Sequence, residues 1–284
     1  MLEFLPSNIM GLLKKVNLKN VYELRLRVDK PIMLNYLGVY KYLGQVGVVD
    51  LAENATICSS FDIEECIFRA SEYSVYAIEE QIKKGFITTK EGERIGLAGE
   101  YIFDKGQPLA IRNFSSLCIR MPHNVVDCGY VIYSKCLSDR VRNLLIISPP
   151  GFGKTTILRD LTRLLSLKKK LNILICDERG EIAIGNIGNT CDILRFCDKN
   201  IAFEAGIRAL RPDVVATDEL SEIDCKAVKK AINAGVCVIA TAHFENYSLM
   251  PLEYVNLFDY YVVLSSNEIG KIQAIYRKGG ENIL

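Results

Sequence analysis

Two hydrophobic patterns divide the chain. In the first part, residues 22–28 alternate apolar with charged side chains, which predicts a half-buried strand, and a second strand within residues 32–40 is expected to pair with it. From about Asp139 the pattern changes to short apolar runs separated by helical segments, which is typical of parallel strands buried on both faces. The sequence therefore predicts an α/β protein, with a smaller N-terminal α+β accessory domain at 1–138 and a second domain at 139–284.

Local signals predict the further elements of the first domain. Asp62, followed by Glu65 in the capping pattern, predicts the start of a helix that runs to about Lys84 and is ended by Gly85. After this helix, turn residues 90–93 separate two strand-like runs, which predicts a hairpin. The strands expected here are residues 86–89, 95–102 and 117–120.

The second domain contains four buried-strand patterns and a closing hairpin. Each of the four runs is predominantly apolar and is bounded by polar or turn residues. A last pair of strands surrounds the turn residues 267–270. The predicted strands are Leu144 to Ile147, Ile173 to Cys176, Val214 to Thr217 and Val236 to Ala240, with the hairpin pair Tyr260 to Ser265 and Lys271 to Tyr276.

Composition limits the classes of partner. The 35 Lys and Arg residues nearly cancel the 34 Asp and Glu residues, so a formal charge of +1 provides no overall attraction to nucleic acid or to an anionic membrane. Ten cysteines without a C-x-x-C pair indicate a reducing compartment rather than a disulfide framework or a zinc site. Neither a signal peptide nor an apolar run near the roughly 18 residues of a spanning helix is recognisable. The chain is therefore expected in the cytoplasm, unless partners recruit it to a membrane.

A glycine-rich segment directly follows the first buried strand of the second domain and precedes a predicted helix at 157–167. It matches the phosphate-binding pattern G-x-x-x-x-G-K-[ST], except that Ser148 stands at the first glycine position. In such loops backbone N–H groups surround phosphate, Lys154 is expected to reach the β- and γ-phosphates of ATP, and Thr155 to place a hydroxyl on Mg²⁺. An ordinary Gly/Pro turn before a helix is the alternative. The residues predicted to bind the nucleotide are Ser148, Pro150, Gly151, Phe152, Gly153, Lys154, Thr155 and Thr156.

A second motif is the strand at 214–217, which ends in the adjacent carboxylates Asp218 and Glu219. This is the form of a Walker B segment, in which Asp218 holds Mg²⁺, directly or through water, and Glu219 polarises the attacking water. Many strands end in solvated acids, so the motif alone is weak. Downstream of a phosphate loop, however, it indicates a nucleotide hydrolase.

Two further groups are expected near the same ligand. Asp177 and Glu178 follow the strand at 173–176, and the carboxyl ends of parallel strands form the crevice in which ligands bind. His243 follows another core strand and could hydrogen-bond a γ-phosphate or relay its presence to neighbouring loops. The alternatives are a surface ion-pair cluster for the acids and a structural role for this histidine. The other histidine, His123, is interpreted as a loop residue.

Two arginines are candidates for catalysis. Arg208 and Arg211 lie just ahead of the acidic strand in the sequence. Arginine beside a γ-phosphate stabilises charge in the transition state, either from the same subunit or from a neighbouring one. A helix-capping or ion-pair role is the alternative for each of them.

The order of these motifs carries a family resemblance. The series SPPGFGKTT, CDERGEI at 176–182, RPDVVATDEL at 211–220 and IATAH at 239–243 resembles the stage III sporulation protein AA family, and ELRLRVDKPI at 23–32 extends the similarity into the first half. That family resembles the ring-forming secretion ATPases of type II and type IV systems. The departures are Ser148 in place of the first glycine, and Gly180, where the family more often has serine.

The resemblance implies an N-terminal domain joined to a RecA-like P-loop ATPase domain, with ATP and Mg²⁺ as cofactors. It implies phosphate and Mg²⁺ binding by Lys154 and Thr155, a catalytic acid at Glu219, an acidic box containing Glu178 and a histidine box containing His243. It also implies a homo-hexameric ring that docks on membrane channel proteins of the same sporulation operon. The ring would power their assembly, or transport through them, during endospore formation.

Two other functions stay open. A nucleotide-gated scaffold would bind ATP to switch its assembly state, but it would not need the water-polarising acid Glu219. A RecA-like ATPase acting on single-stranded nucleic acid would need a basic groove with aromatic platforms. The chain lacks Trp, and its dense basic run at 168–170 lies at a helix end, where solvation and the helix dipole explain it. Nucleic acid is therefore not expected as a partner.

Overall fold

A computed structural model describes residues 2–72, 79–89, 91–121 and 125–284. The chain divides into two compact units, Met1–His123 and Asn124–Leu284. The boundary between the units lies earlier in the chain than the one expected at 138/139. Helical residues 130–137 carry apolar side chains, among them Ile132 and Leu137, that pack in the core of the second unit. His123, interpreted as a loop residue, lies outside the described residues.

The first unit combines antiparallel strands with short helices, as the sequence predicts. Its described strands are β1 (Val21–Arg27), β2 (Lys30–Pro31), β3 (Met33–Tyr36), β4 (Val39–Gly44), β5 (Gly47–Val49), β6 (Ile57–Cys58), β7 (Phe86–Thr88), β8 (Arg94–Asp104) and β9 (Gln107–Arg120). Its described helices are α1 (Ser7–Leu13), α2 (Ser60–Ala70) and α3 (Glu79–Lys83), with 3₁₀ turns at Leu18–Asn20 and Ala52–Asn54.

The main sheet of this unit has the strand order β5-β4-β3-β1-β9-β8-β7, and β2 pairs separately with β6. Leu24 and Leu26 of β1 are fully buried while alternate residues are partly exposed, which is the pattern of a strand with one face on a core. The expected pairing of β1 with a return strand is confirmed by β3, and the expected hairpin by β7 and β8. The strand expected at 117–120 is the end of the longer β9, which pairs with β8.

The predicted bounds of the helix after Asp62 were wrong at both ends. The helix α2 begins after Ser59, because Ser59 and Asp62 form a capping box in which each side chain accepts the backbone N–H of the other residue. This helix ends at Ala70 rather than near Lys84. Residues 73–78 of the predicted helix lie outside the described residues.

The second unit is built on a mainly parallel sheet. Its described strands are β10 (Leu144–Ile147), β11 (Ile173–Asp177), β12 (Cys191–Arg195), β13 (Val214–Thr217), β14 (Cys237–Ala242), β15 (Tyr260–Leu264) and β16 (Ile272–Arg277). Its described helices are α4 (Tyr130–Ile132, continued by a π-helical turn Tyr133–Leu137), α5 (Lys154–Lys169), α6 (Lys199–Leu210), α7 (Cys225–Asn233) and α8 (Leu252–Val255), with 3₁₀ turns at Glu222–Asp224 and Tyr247–Leu249. Within the described ranges, no helix is both long and apolar enough to cross a membrane.

The strand order of this sheet is β12-β11-β13-β14-β10-β15-β16, and β16 runs antiparallel to β15. The four predicted core strands and the closing hairpin are confirmed, although the fourth core strand, β14, extends to Ala242. The strand β12 was not predicted. It pairs along β11, and each of its residues is at least partly exposed, so it lacks the continuous apolar run of a central strand.

Helices cover both faces of this sheet. Leu144 and Ile146 of β10 contact the core that includes α5, whereas Leu145 and Ile147 contact the core that includes α6 and α7. The strands β10, β11, β13 and β14 are parallel, so their carboxyl ends meet at one edge of the sheet. Two loops lie at this edge: the phosphate loop, residues 148–155, follows β10, and the acidic loop, residues 177–183, begins at the end of β11.

Candidate functional site

The phosphate loop connects β10 to α5. Gly151 and Gly153 adopt positive φ values of +84° and +89°, which glycine reaches without a steric penalty. Ser148, at the position of the first consensus glycine, is fully buried and does not have a positive φ. The departure from the consensus at Ser148 therefore imposes no left-handed backbone strain.

The outer part of this loop leans on the closing hairpin. The carbonyl of Phe152 accepts the backbone N–H of Gly270, in the turn between β15 and β16, at 3.1 Å. Gly153 also approaches this turn, since a Cβ added to it would lie 3.5 Å from Gly270 atoms. Pro150 is exposed at the tip of the loop, and Thr156 is half-buried in the first turn of α5.

Lys154, the first residue of α5, is buried, and its ammonium lies within the loop. Its Nζ donates to the carbonyl oxygens of Ser148 and Pro149, both at 2.9 Å, and lies 3.0 Å from Nδ1 of His243. Burial lowers the pKa of Lys154, and nearby carboxylates oppose that effect. The ammonium is thus held by neutral acceptors, which a phosphate, as a stronger acceptor for a cation, can replace.

Thr155 and Asp218 bring two oxygen atoms together beside the loop. The Thr155 hydroxyl donates to Oδ2 of Asp218 at 2.5 Å, although Thr155 lies in the first turn of α5 and Asp218 follows β13. A hydroxyl and a carboxylate are oxygen ligands that suit a hard cation such as Mg²⁺. The two residues predicted as metal ligands are therefore adjacent in the folded chain.

The backbone of Glu219 is fixed between two side chains. Its N–H lies 2.9 Å from the Thr241 hydroxyl oxygen and 3.0 Å from Oδ1 of Asp218, and the Thr241 hydroxyl in turn donates to Asp218. Glu219 also has a left-handed φ of +49°, which a residue with a Cβ rarely adopts. These contacts hold Glu219 at the carboxyl edge of the sheet despite the strained backbone.

The side chain of Glu219 lies between Arg179 and His243. One carboxylate oxygen forms an ion pair with the Arg179 guanidinium, and the other lies 3.4 Å from Nε2 of His243. Because Nδ1 of His243 faces the Lys154 ammonium, we assign it as an acceptor, which puts the ring proton on Nε2, toward Glu219. His243 therefore contacts both the phosphate loop and the predicted catalytic acid.

The acidic loop is held from inside by a buried pair of charged residues. Asp177 accepts the backbone N–H groups of Glu181, Ile182 and Ala183 at 2.8, 3.1 and 2.9 Å. Arg159 of α5, also buried, donates to the carbonyl oxygens of Glu181 and Ile182 at 2.6 and 3.0 Å. Burial lowers the pKa of Arg159. Asp177 was expected to face a ligand; it borders the cleft described next, but the loop itself occupies its oxygens.

A cleft lies beside Glu219 at the ends of β11 and β13. Glu178, the member of the predicted acidic box, is partly exposed in this cleft, with Oε2 at 2.8 Å from Nζ of Lys199. The ion pair with Lys199 leaves Glu178 accessible from solvent while fixing its position. The other residues that line the cleft include Arg179, Glu181 and Asp218.

Arg208 and Arg211 are not brought to the phosphate loop of their own chain. Arg208 is exposed on α6 and pairs with Glu204 of the same helix at 3.1 Å, and Arg211 is exposed and ends the helix with a φ of +47°. The helix begins at Lys199, beside the acidic loop, so these residues are roughly 14 Å or more along its axis from that end. Within one chain, Arg208 therefore has an ion-pair role and Arg211 ends the helix.

Three residues of this site were missing from the sequence prediction. Arg179 and Lys199 pair with the acids of the cleft, and Thr241 anchors Asp218 and Glu219. Thr241 directly follows the predicted core strand Val236 to Ala240, so its position at the carboxyl edge was foreseeable. The partner of Arg179 depends on which strands are neighbours, which the local pattern does not contain.

Comparisons with known proteins identify the family of the chain. The family model described as sporulation stage III, protein AA, matches residues 1–283. The chain belongs to the stage III sporulation protein AA family. Within this family, stage III sporulation protein AA of Bacillus subtilis (strain 168) is 34% identical over 306 residues, covering 99% of this chain and 95% of that protein. The uncharacterized protein ycf45 of Porphyra purpurea is 23% identical over 260 residues, covering 86% of this chain and 40% of that protein.

Two solved structures are similar to this family member in fold. The pilus retraction motor PilT, solved with bound ADP, has a TM-score of 0.61 at 13% identity and covers 91% of this chain and 77% of its own. The ATPase DotB of Legionella pneumophila has a TM-score of 0.59 at 12% identity, with coverage of 98% and 79%. At these identities the likeness shows the fold alone, an α+β domain followed by a domain of the RecA-like P-loop fold. The fold class expected from the sequence is thereby confirmed.

Proposed function

We propose that this chain is a Mg²⁺-dependent ATPase of the secretion-ATPase type, which powers the assembly of a membrane channel complex, or transport through it, during endospore formation. The observation that carries the proposal is the contact between Thr155 and Asp218, at 2.5 Å, beside the buried ammonium of Lys154. A phosphate-binding loop and an acidic strand end meet there although they are distant in sequence. Membership of a sporulation family supports the biological setting.

The phosphate loop supplies the groups that a triphosphate needs. The N-terminus of α5 presents backbone N–H groups and a partial positive charge, and Lys154 can exchange its carbonyl partners for phosphate oxygens. Thr155 and Asp218 are the oxygen ligands that we assign to Mg²⁺, directly or through water. When bound, Mg²⁺ would neutralise negative charge on the phosphate oxygens.

Glu219 is the residue that we assign to the attacking water. Its carboxylate is one quarter exposed and its backbone is fixed by Asp218 and Thr241, so it can orient water and accept a proton without a movement of the chain. His243 contacts both Lys154 and Glu219 and is therefore suited to report an occupied phosphate loop to the catalytic acid.

We further propose that the chain acts as a homo-hexameric ring in the cytoplasm, recruited peripherally to membrane channel proteins of the sporulation stage III operon. In a ring, Arg208 and Arg211, which are exposed on the far end of α6, are candidates to approach the nucleotide of a neighbouring subunit. Mass measurement with and without a non-hydrolysable ATP analogue tests this assembly. A six-subunit mass with the analogue is expected, and a monomer under both conditions would contradict it.

Phosphate release from ATP by the purified chain tests the catalytic part of the proposal. Lys154→Ala should reduce turnover by about 10²-fold or more, because an aimed cation stabilises the charge of the transferred phosphoryl group, and omission of Mg²⁺ should have a similar effect. The matched control is Lys168→Ala, which alters an exposed lysine at the far end of the same helix and should leave turnover unchanged. Turnover that survives Lys154→Ala would refute the ATPase.

One observation favours a nucleotide-gated scaffold as a second candidate: both carboxylate oxygens of Glu219 are engaged, by Arg179 and by His243. Such a scaffold would bind ATP to change its assembly state and would hydrolyse little of it. The variant Glu219→Gln separates the two functions. A hydrolase should lose about 10²- to 10⁴-fold in kcat, whereas equal turnover with unchanged switching of the oligomer would favour the scaffold.

A further inference from the structure

The candidate site holds a lysine and a glutamate of opposite charge close together without a direct ion pair between them. His243 contacts both, with Nδ1 at 3.0 Å from Nζ of Lys154 and Nε2 at 3.4 Å from Oε1 of Glu219. The two charges therefore lie on either side of a single imidazole ring. Burial lowers the pKa of Lys154, and the negative charges of Asp218 and then of Glu219 oppose that effect.

A direct pair between Lys154 and Glu219 would impair the site. Lys154 would have to leave a carboxylate before it could bind phosphate, and Glu219 would no longer be directed into the cleft. In the structure Lys154 instead donates to the neutral carbonyls of the phosphate loop. Glu219 must therefore have another partner that competes with the lysine for its charge.

Arg179 is that competing partner. Its guanidinium forms an ion pair with Oε2 of Glu219, the oxygen not facing His243, and half of its side chain remains exposed in the cleft. Guanidinium groups are strong, always-charged partners for carboxylates. The pull of Arg179 on Glu219 is thus directed away from the phosphate loop.

The backbone of the acidic loop next to Arg179 is held in position by hydrogen bonds. Asp177 and Arg159 hold the backbone that follows it, through amides and carbonyls of residues 181–183. The neighbouring acid, Glu178, is occupied by Lys199 at 2.8 Å. This separate pairing of the two acids leaves Arg179 directed at Glu219 rather than at Glu178.

We infer that Arg179 is a positioning residue, whose guanidinium holds the Glu219 carboxylate away from Lys154 and so keeps the lysine available for phosphate. The inference rests on the proposed ATP binding and adds a role that acts through Glu219 and involves no contact with the nucleotide. Within one chain, the arginine that contacts the candidate site is thus Arg179, whereas Arg208 and Arg211 lie at the far end of α6.

The test is the affinity for a fluorescent ATP analogue in the presence of Mg²⁺, measured on the full chain. Arg179→Ala should weaken affinity about tenfold, which is within the range of coupling between contacting residues, because Glu219 is then free to pair with Lys154. Arg179→Lys keeps a positive charge and should restore most of the affinity. In a Glu219→Gln background, Arg179→Ala should change affinity by less than about twofold, since glutamine carries no charge to neutralise the lysine.

The chain offers a matched control in Arg277, which forms an exposed ion pair with Glu281 at 3.3 Å on β16. Its side chain is 54% exposed, compared with 50% for Arg179, and Arg277→Ala should leave affinity unchanged. An equal loss of affinity from Arg179→Ala in both backgrounds would overturn the inference, since it would mean direct contact with the nucleotide or a collapsed loop. Unchanged or tighter binding by Arg179→Ala would also overturn it. Failure of the wild-type chain to bind any analogue would instead refute the proposed ATP binding itself.

Discussion

The phosphate loop and the acidic loop begin at the same edge of one parallel sheet, but their buried charges have different kinds of partner. The Lys154 ammonium donates to carbonyls of its own loop and to His243. Phosphate oxygens of a ligand could replace these acceptors. Asp177 accepts three backbone N–H groups of its own loop, which are part of the fold itself. A charge with internal partners maintains the fold, whereas a charge with replaceable partners is available for binding.

The largest expected effect concerns the acidic loop. Asp177→Ala should lower the free energy of unfolding of the second unit by about 3–5 kcal/mol, because it leaves the N–H groups of residues 181–183 without their acceptor and removes the carboxylate that attracts the buried Arg159 guanidinium. Urea unfolding measures this loss. Asp192→Ala, at an exposed position on the adjacent strand β12, is the control and should change stability by less than about 0.5 kcal/mol. Equal losses from the two variants would remove the distinction between the two loops.

The phosphate loop should respond in the opposite way. Lys154→Met removes a buried charge, so the free energy of unfolding without nucleotide should rise by up to about 1 kcal/mol. ATP at 100 times its Kd should stabilise the wild-type chain by about 2.7 kcal/mol, and this stabilisation should vanish in the variant. Thermal unfolding with and without ATP and Mg²⁺ measures both changes. A variant that is still stabilised by ATP would show that the lysine does not bind phosphate.

Thr241 of β14 provides a further test, because it anchors the two acids that follow β13. Its hydroxyl bonds both to Asp218 and to the N–H of Glu219, so Thr241→Val should cost about 1–2 kcal/mol of stability. Thr217→Val is a closely matched control, since the buried Thr217 hydroxyl donates to the Cys176 carbonyl at 3.2 Å. The cost of Thr241→Val should exceed that of the control in urea unfolding, and the reverse order would argue against Thr241 as the anchor of the acids.

The smallest expected effect is the pH dependence of the Lys154 variant. Burial lowers the folded pKa of Lys154 below its ordinary value of 10.5, so the folded chain binds this proton less tightly than the unfolded chain. Below the lowered pKa the lysine is charged in both states and folding carries the full burial cost, which disappears as the pH approaches 10.5. The stability advantage of Lys154→Met should therefore shrink as the pH rises through the lowered pKa toward 10.5. An advantage that grows with pH would contradict the assignment of the burial effect.

Local sequence patterns were sufficient for most of the second unit. The strands β10, β11 and β13 begin where predicted, because a strand buried on both faces needs an unbroken apolar run. The phosphate loop was also readable, since its glycines and the following lysine are needed at fixed spacing. The edge strand β12 was missed because partial exposure removes that apolar run.

The contacts between charged side chains were decided by the tertiary structure. The local sequence does not indicate that Asp177 accepts N–H groups of its own loop while Arg179 pairs with Glu219. Nor does it indicate that Arg208 is exposed and pairs with Glu204. These choices depend on strand order, since β13 lies between β11 and β14 and brings their ends together. An apolar run identifies a strand by its own burial, but the partner of a charge depends on neighbours from distant parts of the chain.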